Sequence, residues 1–399
     1  MAATASPAQS RTVFLGAAFA FMITMLGATL PTPLYPLYRE TFGFSQLMIT
    51  VIFAVYAIGV IGALLLTGRW SDQLGRRPLL FAGLLLSAAS DLVFWQADGL
   101  APILVARVLS GMSAGIFTGT ATVAVMELVP ERWTRVGTLV ATAANMGGLG
   151  LGPMLAGGLA WLAPLPLQTP YVVHLVLAVL AVLCIWRAPE TVSRPERIRL
   201  RVQRLSVPPE VRGVFVPAAI AAFAGFMVCG FATSVTPAFV GGELGYHNPA
   251  LIGVVAGLLF IASTLGQLVQ GRLPASRRLP IGCGVLLVGV GCFAWGIAAE
   301  TLAGFFLGPV IAGIGQGISF RAGLGAVAAA SPDEHKAAVV STFFVVAYVA
   351  ISLPVVGIGL LASVIDLTTT GLIFDGLVAL LCVAALVLLL RGAGRNAKG

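Results

Sequence analysis

The amino-acid sequence predicts an all-α membrane protein, with twelve transmembrane helices arranged as two similar six-helix bundles. Composition, apolar segment length and an internal repeat carry this prediction. Of 399 residues, 58% are hydrophobic and only 10% are charged. A soluble domain carries about 25% charged residues, so this chain cannot cover a surface that faces water. Helices are favoured over a barrel because strand-like alternation is scarce and a helix satisfies its own backbone hydrogen bonds in lipid.

Twelve apolar stretches are long enough to cross a hydrocarbon core, which takes roughly 20 helical residues. Glycine, proline and charged residues separate them. The predicted spans are 12–37, 46–67, 79–97, 101–127, 137–163, 171–187, 213–240, 249–270, 280–298, 302–330, 337–363 and 369–390. Residues 1–187 are expected to form the first bundle, residues 188–212 a basic cytoplasmic linker, and residues 213–399 the second bundle.

Arginine and lysine positions predict the orientation. With the N-terminus in the cytoplasm, the cytoplasmic segments hold 20 of the 23 basic residues, as the positive-inside rule requires. We therefore expect a multi-pass protein of the cell membrane with both termini in the cytoplasm. In a cell with two membranes, this is the inner membrane. The N-terminal residues lack a signal-peptide layout, so the first span is expected to remain. Basic loops beside anionic lipid heads explain the net charge of +8 without nucleic acid.

The two halves of the chain repeat each other at an offset of about 202 residues. FGF at 42–44 aligns with LGY at 244–246, and the glycines at 111 and 115 align with those at 313 and 317. GRWSDQLGRRP at 68–78 aligns with GRLPASRRLP at 271–280. Parallel repeats of this kind build a cavity between two bundles, which opens to either side in turn.

Enzymatic chemistry is not predicted. The five cysteines lie singly in apolar runs, and the histidines His174, His247 and His335 are isolated. A catalytic or metal site needs convergent nucleophiles, bases or ligands. We expect no catalytic residue, no metal and no cofactor. The expected partners are a small-molecule substrate, protons and membrane lipids, with the chain acting as a monomer.

The segment Gly68–Pro78 resembles the G-x-x-x-D-x-x-G-R-R loop between the second and third helices of major facilitator superfamily transporters. Its residues Gly68, Asp72, Gly75, Arg76 and Arg77 match that motif in the expected topological place. The resemblance implies the major facilitator fold. It also implies a conformational latch, in which the loop holds the start of the eleventh helix, near 333–337, in the outward-facing state. A carboxylate suits a helix N-terminus. The alternative is a plain positive-inside anchor, and the second copy has Ala275 in place of the aspartate.

Further motifs resemble those of the twelve-span drug exporters in this superfamily. The fifth span contains Gly148, Gly152, Pro153 and Gly157, similar to the G-x-x-x-G-P-x-x-G-G signature of antiporters. The fourth contains R107VLSGMSAG, similar to an R-x-x-q-G element. The resemblance implies proton-coupled efflux of a small amphipathic molecule or drug. The alternative is a facilitator or proton symporter of a polar metabolite, a class that includes anions.

Ionisable residues inside spans are costly and mark functional sites. Asp91 and Arg107 are predicted at similar depths on neighbouring antiparallel helices, so we expect them to pair and to take part in proton coupling; a fixed structural pair is the alternative. His174 and Asp375 occupy equivalent places in the repeat and are expected to be structural. Glu127 is expected to pair with Arg132 or Arg135. The side chains expected to line the substrate cavity are Tyr35, Phe117, Asn145, Gln316 and Arg321.

Overall fold

The structure is a computed structural model that describes residues 11–68, 70–193, 200 and 202–396, excluding the side chains of 134, 135 and 392–396. Predictions that involve Arg69, the Arg135 side chain or linker residues 194–199 and 201 lie outside this description. The described residues form twelve helices long and apolar enough to span a membrane, and no strand. The helices are α1 Arg11–Phe42, α2 Gln46–Thr67, α3 Arg76–Trp95, α4 Leu100–Glu127, α5 Val136–Leu162, α6 Thr169–Arg187, α7 Pro209–Glu243, α8 Pro249–Arg272, α9 Ala275–Ala298, α10 Leu302–Ala330, α11 Asp333–Leu361 and α12 Leu367–Arg391.

The predicted spans are confirmed, and the helix starts differ where proline or acidic residues occur. Helix α3 begins at Arg76, three residues before the predicted start, because Pro78 lies in the first turn, where a missing N–H is tolerated. Helix α11 begins at Asp333 instead of residue 337. Its first turn contains Asp333 and Glu334, whose negative charges suit the positive end of a helix.

Each six-helix bundle repeats the same packing. In the first, α1 packs against α4, α5 and α6, while α4 also contacts α2 and α3. In the second, α7 contacts α10, α11 and α12, while α10 also contacts α8 and α9. Twelve spans place Arg11 and Arg391, the outer bounds of the first and last spans, on the same side of the membrane. We call that side the basic face, because it carries the arginine-rich loops, and the other side the opposite face.

Two seams join the bundles, α2 with α11 and α5 with α8. The tightest seam contacts lie towards the opposite face. Gly359 of α11 packs on Thr50 of α2, and Gly157 of α5 packs on the carbonyl of Pro249 in α8. A side chain at either glycine would overlap its neighbour. The bundles are therefore closed against each other on the opposite face.

Helices α1 and α5 are among those that depart from regular α geometry where they border the other bundle. The regular part of α1 ends at Thr29, and the chain turns through Pro31 and Pro33 before helix resumes at Tyr35. Proline lacks the N–H that would continue the helical ladder. In α5, Ala143–Gly147 forms a wider π-helical turn, a feature that often accompanies functional sites.

Candidate functional site

A cavity of about 550 Å³ lies between the bundles. It extends from the middle of the membrane to the basic face, where residues from the ends of α2, α4, α5 and α11 line it: Leu64, Gly68, Met126, Thr138, Ala337 and Val340. Pockets for drug-sized ligands measure about 300–1,000 Å³. The cavity is therefore large enough for such a ligand and opens towards one side.

Most of the cavity wall is apolar or aromatic. The bulky lining side chains come from both bundles: Met25, Phe53, Tyr56, Met146, Phe226, Phe260, Phe320, Phe344 and Tyr348. Among the described lining residues there is no aspartate or glutamate, whereas two arginines, Arg107 and Arg321, are present. The wall thus combines apolar surface with positive charge.

Arg107 is held at the deep end of the cavity by backbone carbonyls. Its guanidinium donates to Ala28 O at 2.9 Å, Ile52 O at 3.2 Å and Phe53 O at 3.2 Å, and the side chain is almost fully buried. The Ala28 carbonyl is free to accept because the regular part of α1 ends at Thr29. The guanidinium also lies 4.6 Å from the centroid of the Tyr56 ring, a cation–π distance.

Arg321 lies on α10, about 14 Å from the end of that helix at the basic face. It donates to Gln267 O at 3.2 Å within its own bundle and to Thr142 Oγ1 at 3.3 Å across the seam. The amide nitrogens of Gln267 and Gln316 are buried without a partner among the described residues, and Ser263 donates to Gln316 Oε1 at 2.6 Å. The cavity therefore offers two unused amide donors besides its arginines.

The predicted lining residues divide into two groups. Asn145, Gln316 and Arg321 lie on the cavity wall as predicted, and the π-helical turn of α5 carries Asn145. Tyr35 and Phe117 do not, and their predicted location is wrong. Tyr35 lines a separate pocket of about 390 Å³ on the opposite face, because the proline turn redirects α1. Phe117 is fully buried inside the first bundle, where α3 has only Gly83 and leaves room for its ring.

The predicted Asp91–Arg107 ion pair is wrong. Asp91 Oδ2 lies 2.7 Å from His174 Nδ1 of α6, and Arg107 donates to backbone carbonyls. Ser90, the preceding residue, faces α4 and donates to Ala106 O at 2.8 Å. Successive helical residues are rotated by about 100°, so Asp91 faces α6. The Asp91–His174 pair does not line the cavity. In the sequence, the isolated His174 was the only indication of this pair.

The loop predicted to be a latch is tied to its own bundle. Asp72 pairs with Arg76 at 2.5 Å, and Arg76 also reaches Glu127 at 3.2 Å. Glu127, which was expected to pair with Arg132 or Arg135, thus shares Arg76 with Asp72. The Asp72 side chain is 63% exposed. A latch between Asp72 and α11 remains a prediction for a conformation in which the cavity is closed at the basic face.

A linker carboxylate caps the start of α3. Glu190 accepts from the backbone nitrogens of Arg76 at 2.9 Å and Arg77 at 3.1 Å. Gly75 makes this approach possible, because its φ of 106° suits glycine and a side chain there would collide with Glu190. Arg77 donates to Trp186 O at 2.6 Å. Sequence reasoning missed Glu190, which lies 114 residues from Arg76 and belongs to no motif.

The linker also crosses the cavity mouth at the basic face. The backbone nitrogen of Gln203 donates to Leu65 O of α2 at 2.7 Å, and that of Ser206 donates to Thr342 Oγ1 of α11 at 3.1 Å. Gln203 is buried and lines the cavity. The Gln203–Leu65 hydrogen bond joins two backbone groups, so it does not depend on the side chain at position 203. The linker is thus joined to one helix of each bundle.

The glycines of the antiporter-like motif in α5 serve two different contacts. Gly148 and Gly152 lie against the backbone of α1, at Met22 and Leu26. Gly157 and the carbonyl of Pro153 lie against α8, at the seam between the bundles. Small residues let helix backbones approach closely in membranes. The motif therefore positions α5 against the broken helix α1 and against the second bundle at once.

Comparison with known proteins gives one family and several relatives. A family model described as Major Facilitator Superfamily matches residues 17–355. The multidrug transporter MdfA of Edwardsiella ictaluri is 25% identical over 299 residues, which cover 69% of this chain and 71% of that protein. Multidrug resistance protein 2 of Bacillus subtilis is 27% identical over 195 residues, 48% of each chain.

Solved structures agree in fold. The human organic anion transporter MFSD10 (TETRAN) aligns with a TM-score of 0.68 at 18% identity, covering 96% of this chain and 100% of that one. A bacterial homologue of the human lysosomal transporter Spinster, in an inward-facing and occupied conformation, aligns with a TM-score of 0.67 at 14% identity and covers 97% of both chains. At these identities the likeness concerns the fold alone.

Proposed function

Because the chain belongs to the Major Facilitator Superfamily, we propose that it is a secondary active exporter of small amphipathic molecules. It works by alternating access, in which the cavity between the bundles opens to each side in turn, and proton entry drives the export. The basic face lies in the cytoplasm, following the positive-inside rule. The conformation described above is then the one that receives substrate from the cell.

The cavity carries this proposal. It reaches the basic face, while Gly359 and Gly157 close the bundles against each other on the opposite face. Its wall is largely apolar and aromatic, which suits an amphipathic molecule that partitions into lipid. The relatives named multidrug transporters support export of chemically varied molecules.

Transport into proteoliposomes tests the proposal. Purified protein is reconstituted, a pH gradient of either sign is imposed, and the movement of amphipathic dyes is followed with and without a protonophore. We expect dye to move against the direction of proton flow, and to lose its gradient when the protonophore is added. Dye movement that ignores the sign of the pH gradient would contradict proton-coupled export.

A second candidate function is symport or facilitated transport of an organic anion. The observation that favours it is the cavity wall, which has Arg107, Arg321 and the unused amide donors of Gln267 and Gln316 but no carboxylate among its described residues. Such donors suit an acidic or acceptor-rich head group. The structural neighbour named an organic anion transporter fits the same chemistry. Anion accumulation in the direction of proton flow would favour this function over export.

A further inference from the structure

We propose that Asp91 and His174 form the proton-binding site of this transporter, outside the substrate cavity, and that α1 connects this site to Arg107. The inference rests on the proposed proton coupling and names the residues that hold the proton. Both side chains are buried between α1, α3 and α6, and neither lines the cavity. Proton and substrate then occupy separate places in the first bundle.

The contacts fix how many protons the pair holds. His174 Nε2 lies 2.9 Å from the carbonyl oxygen of Ile23, which can only accept, so Nε2 carries a hydrogen. His174 Nδ1 lies 2.7 Å from Asp91 Oδ2. A proton must lie between these two atoms, because an imidazole lone pair and a carboxylate repel at that distance. The two contacts of His174, with Asp91 and with Ile23, therefore close together only when the pair holds this second proton.

Release of that proton has a structural consequence. A neutral imidazole that keeps its hydrogen on Nε2 turns a lone pair towards the ionised carboxylate of Asp91. The two groups then separate, and α3 and α6 lose the hydrogen bond that joins them at this depth. Proton occupancy and helix packing are thus linked at one contact.

Few other titratable groups face this pair. Helix α6 adds Tyr171, whose hydroxyl lies 2.7 Å from that of Tyr38, and Cys184, which packs on Gly16 nearer the basic face. Helix α1 has no titratable residue between Arg11 and Tyr35, and α3 has none between Arg77 and Asp91.

The neighbouring helix α4 contributes Arg107, which is bound to carbonyls of α1 and α2. Among the described residues, the charge of Asp91 therefore has His174 as its ion-pair partner. A proton gained or lost here changes the net charge of the site by one, and no second cation in the described part of the chain pairs with the carboxylate to offset that change.

Helix α1 lies between the pair and the cavity. Gly27 packs directly on the imidazole of His174, where a side chain would overlap the ring. The next residue, Ala28, gives its carbonyl to Arg107 at 2.9 Å. Both contacts come just before the proline turn that ends the regular part of α1. A displacement of α1 at His174 therefore shifts a carbonyl that holds the cavity arginine.

The second bundle supplies a matched control. Asp375 of α12 occupies the repeat position of His174 and is equally buried, but its Oδ2 has no hydrogen-bond partner in the described residues. The repeat position of Asp91 holds Phe293, which contacts Phe231 and Phe305. The second bundle thus has a buried carboxylate without a histidine, and we place no coupling role on it.

The test compares Asp91→Asn, His174→Gln and Asp375→Asn in two measurements. Infrared difference spectra of purified protein, recorded between about pH 5 and pH 9, report protonation of the pair without transport. Proteoliposomes report substrate accumulation driven by a pH gradient and, separately, substrate exchange at equal pH on both sides. Asparagine keeps the shape and hydrogen bonding of a protonated aspartate, so Asp91→Asn tests the proton and not the packing.

We expect the wild type and Asp375→Asn to show a titrating signal that Asp91→Asn and His174→Gln lack. Gradient-driven accumulation falls by about tenfold or more in these two variants, and it falls further than their exchange at equal pH, whereas Asp375→Asn keeps both within about twofold of wild type. A titrating carboxyl signal that Asp91→Asn leaves unchanged overturns the proposal, as does normal accumulation in both variants. If wild-type accumulation ignores the pH gradient, the proposed coupling fails, and the infrared signal alone decides whether the pair binds a proton.

Discussion

The two bundles share a packing pattern and differ in charge. In the first, the buried pair Asp91–His174 joins α3 to α6, and Arg76 joins Asp72 to Glu127 on the basic face. In the second, the corresponding interior is aromatic, with ring contacts among Phe231, Phe239, Phe293, Phe305 and Phe374. The corresponding loop has Ala275, and Arg278 donates to backbone carbonyls at Gly271 and Leu273.

The repeat therefore preserves helix packing, while the buried ion pair Asp91–His174 and the ion pairs of Arg76 lie in the first half. The proposed alternating access needs two bundles that rock against each other, and the repeat supplies two bundles of similar packing. The proposed proton site and the predicted latch each need one set of residues, and both candidate sets lie in the first bundle. The second bundle contributes cavity wall and a rigid aromatic interior.

Substitution of the two cavity arginines, one from each bundle, should give the largest difference in transport between the bundles. Arg107→Met removes the donor from three backbone carbonyls, and charge-assisted hydrogen bonds are worth about 1.5–3 kcal/mol each. We expect transport to fall by about 100-fold or more. Arg321→Met loses only two contacts, at 3.2 and 3.3 Å, of a half-buried side chain, and we expect a fall of about tenfold or less. Initial transport rates at matched protein levels measure both.

A charge-preserving variant tests the same contrast more closely. Lysine cannot reproduce the planar fork that reaches several carbonyls, so Arg107→Lys is expected to stay defective. Full activity of Arg107→Lys, or equal losses in the two methionine variants, would contradict the assignment of the main polar role to the first bundle.

Substitutions of the seam glycines should have the next largest effect on transport. A methyl group at Gly157 overlaps the backbone carbonyl of Pro249, and overpacking costs about 1–3 kcal/mol. We expect Gly157→Ala to reduce transport by about tenfold. Gly158 faces open space, so Gly158→Ala is the control and should transport normally. On the other seam, the new methyl group of Gly359→Ala meets the Thr50 hydroxyl, which can rotate, so this variant should lose less transport. A larger loss of transport in Gly359→Ala than in Gly157→Ala would contradict this expectation.

A substitution in the loop between α2 and α3 should slow transport by an intermediate amount. In the present conformation Asp72 is exposed, and an exposed ion pair contributes about 1 kcal/mol or less. We expect Asp72→Asn to leave stability nearly unchanged and to slow transport about fivefold, because a latch on α11 is lost in the other conformation. The matched change Ala275→Asp in the second bundle should have no effect. Equal transport by wild type and Asp72→Asn would show that the loop is only an anchor.

The cap on α3 should matter least. Glu190→Gln keeps the size of the side chain but replaces one accepting oxygen by an NH2 group and removes the negative charge at a helix N-terminus, which is worth about 0.3–1 kcal/mol. We expect a slightly lower Tm of the purified protein, measured by the fluorescence of a thiol-reactive or tryptophan probe. Glu300→Gln, at an exposed position of the second bundle on the opposite face, should leave Tm unchanged. A Tm of Glu190→Gln that equals the wild-type value would show that Glu190 does not stabilise the start of α3.

Much of the fold could be predicted because hydrophobic length is a local property. The twelve spans follow from runs of about 20 apolar residues. Asn145, Gln316 and Arg321 could be placed on the cavity wall because they are polar or charged residues within spans. The contacts that proved wrong depend on helix rotation. Ser90 and Asp91 are adjacent in the sequence but face different helices. The predicted depth of a residue in the membrane does not show which neighbouring helix its side chain faces.

The remaining errors come from distant or irregular chain segments. Glu190 reaches the start of α3 from the linker, where no periodic pattern announces a helix cap. Tyr35 lies outside the cavity because the proline turn changes the direction of α1. Phe117 is buried because Gly83 on the neighbouring helix leaves space for its ring. Each of these depends on three-dimensional neighbours.

The proposed function requires that one cavity between two rocking bundles opens to each side in turn. Spin labels in a cysteine-free background measure this directly, with one pair at Thr67 and Lys336 on the basic face and another at Glu40 and His247 on the opposite face. We expect substrate or a change of pH to shorten the first distance while it lengthens the second. Two distances that stay constant, or that change in the same direction, would contradict alternating access.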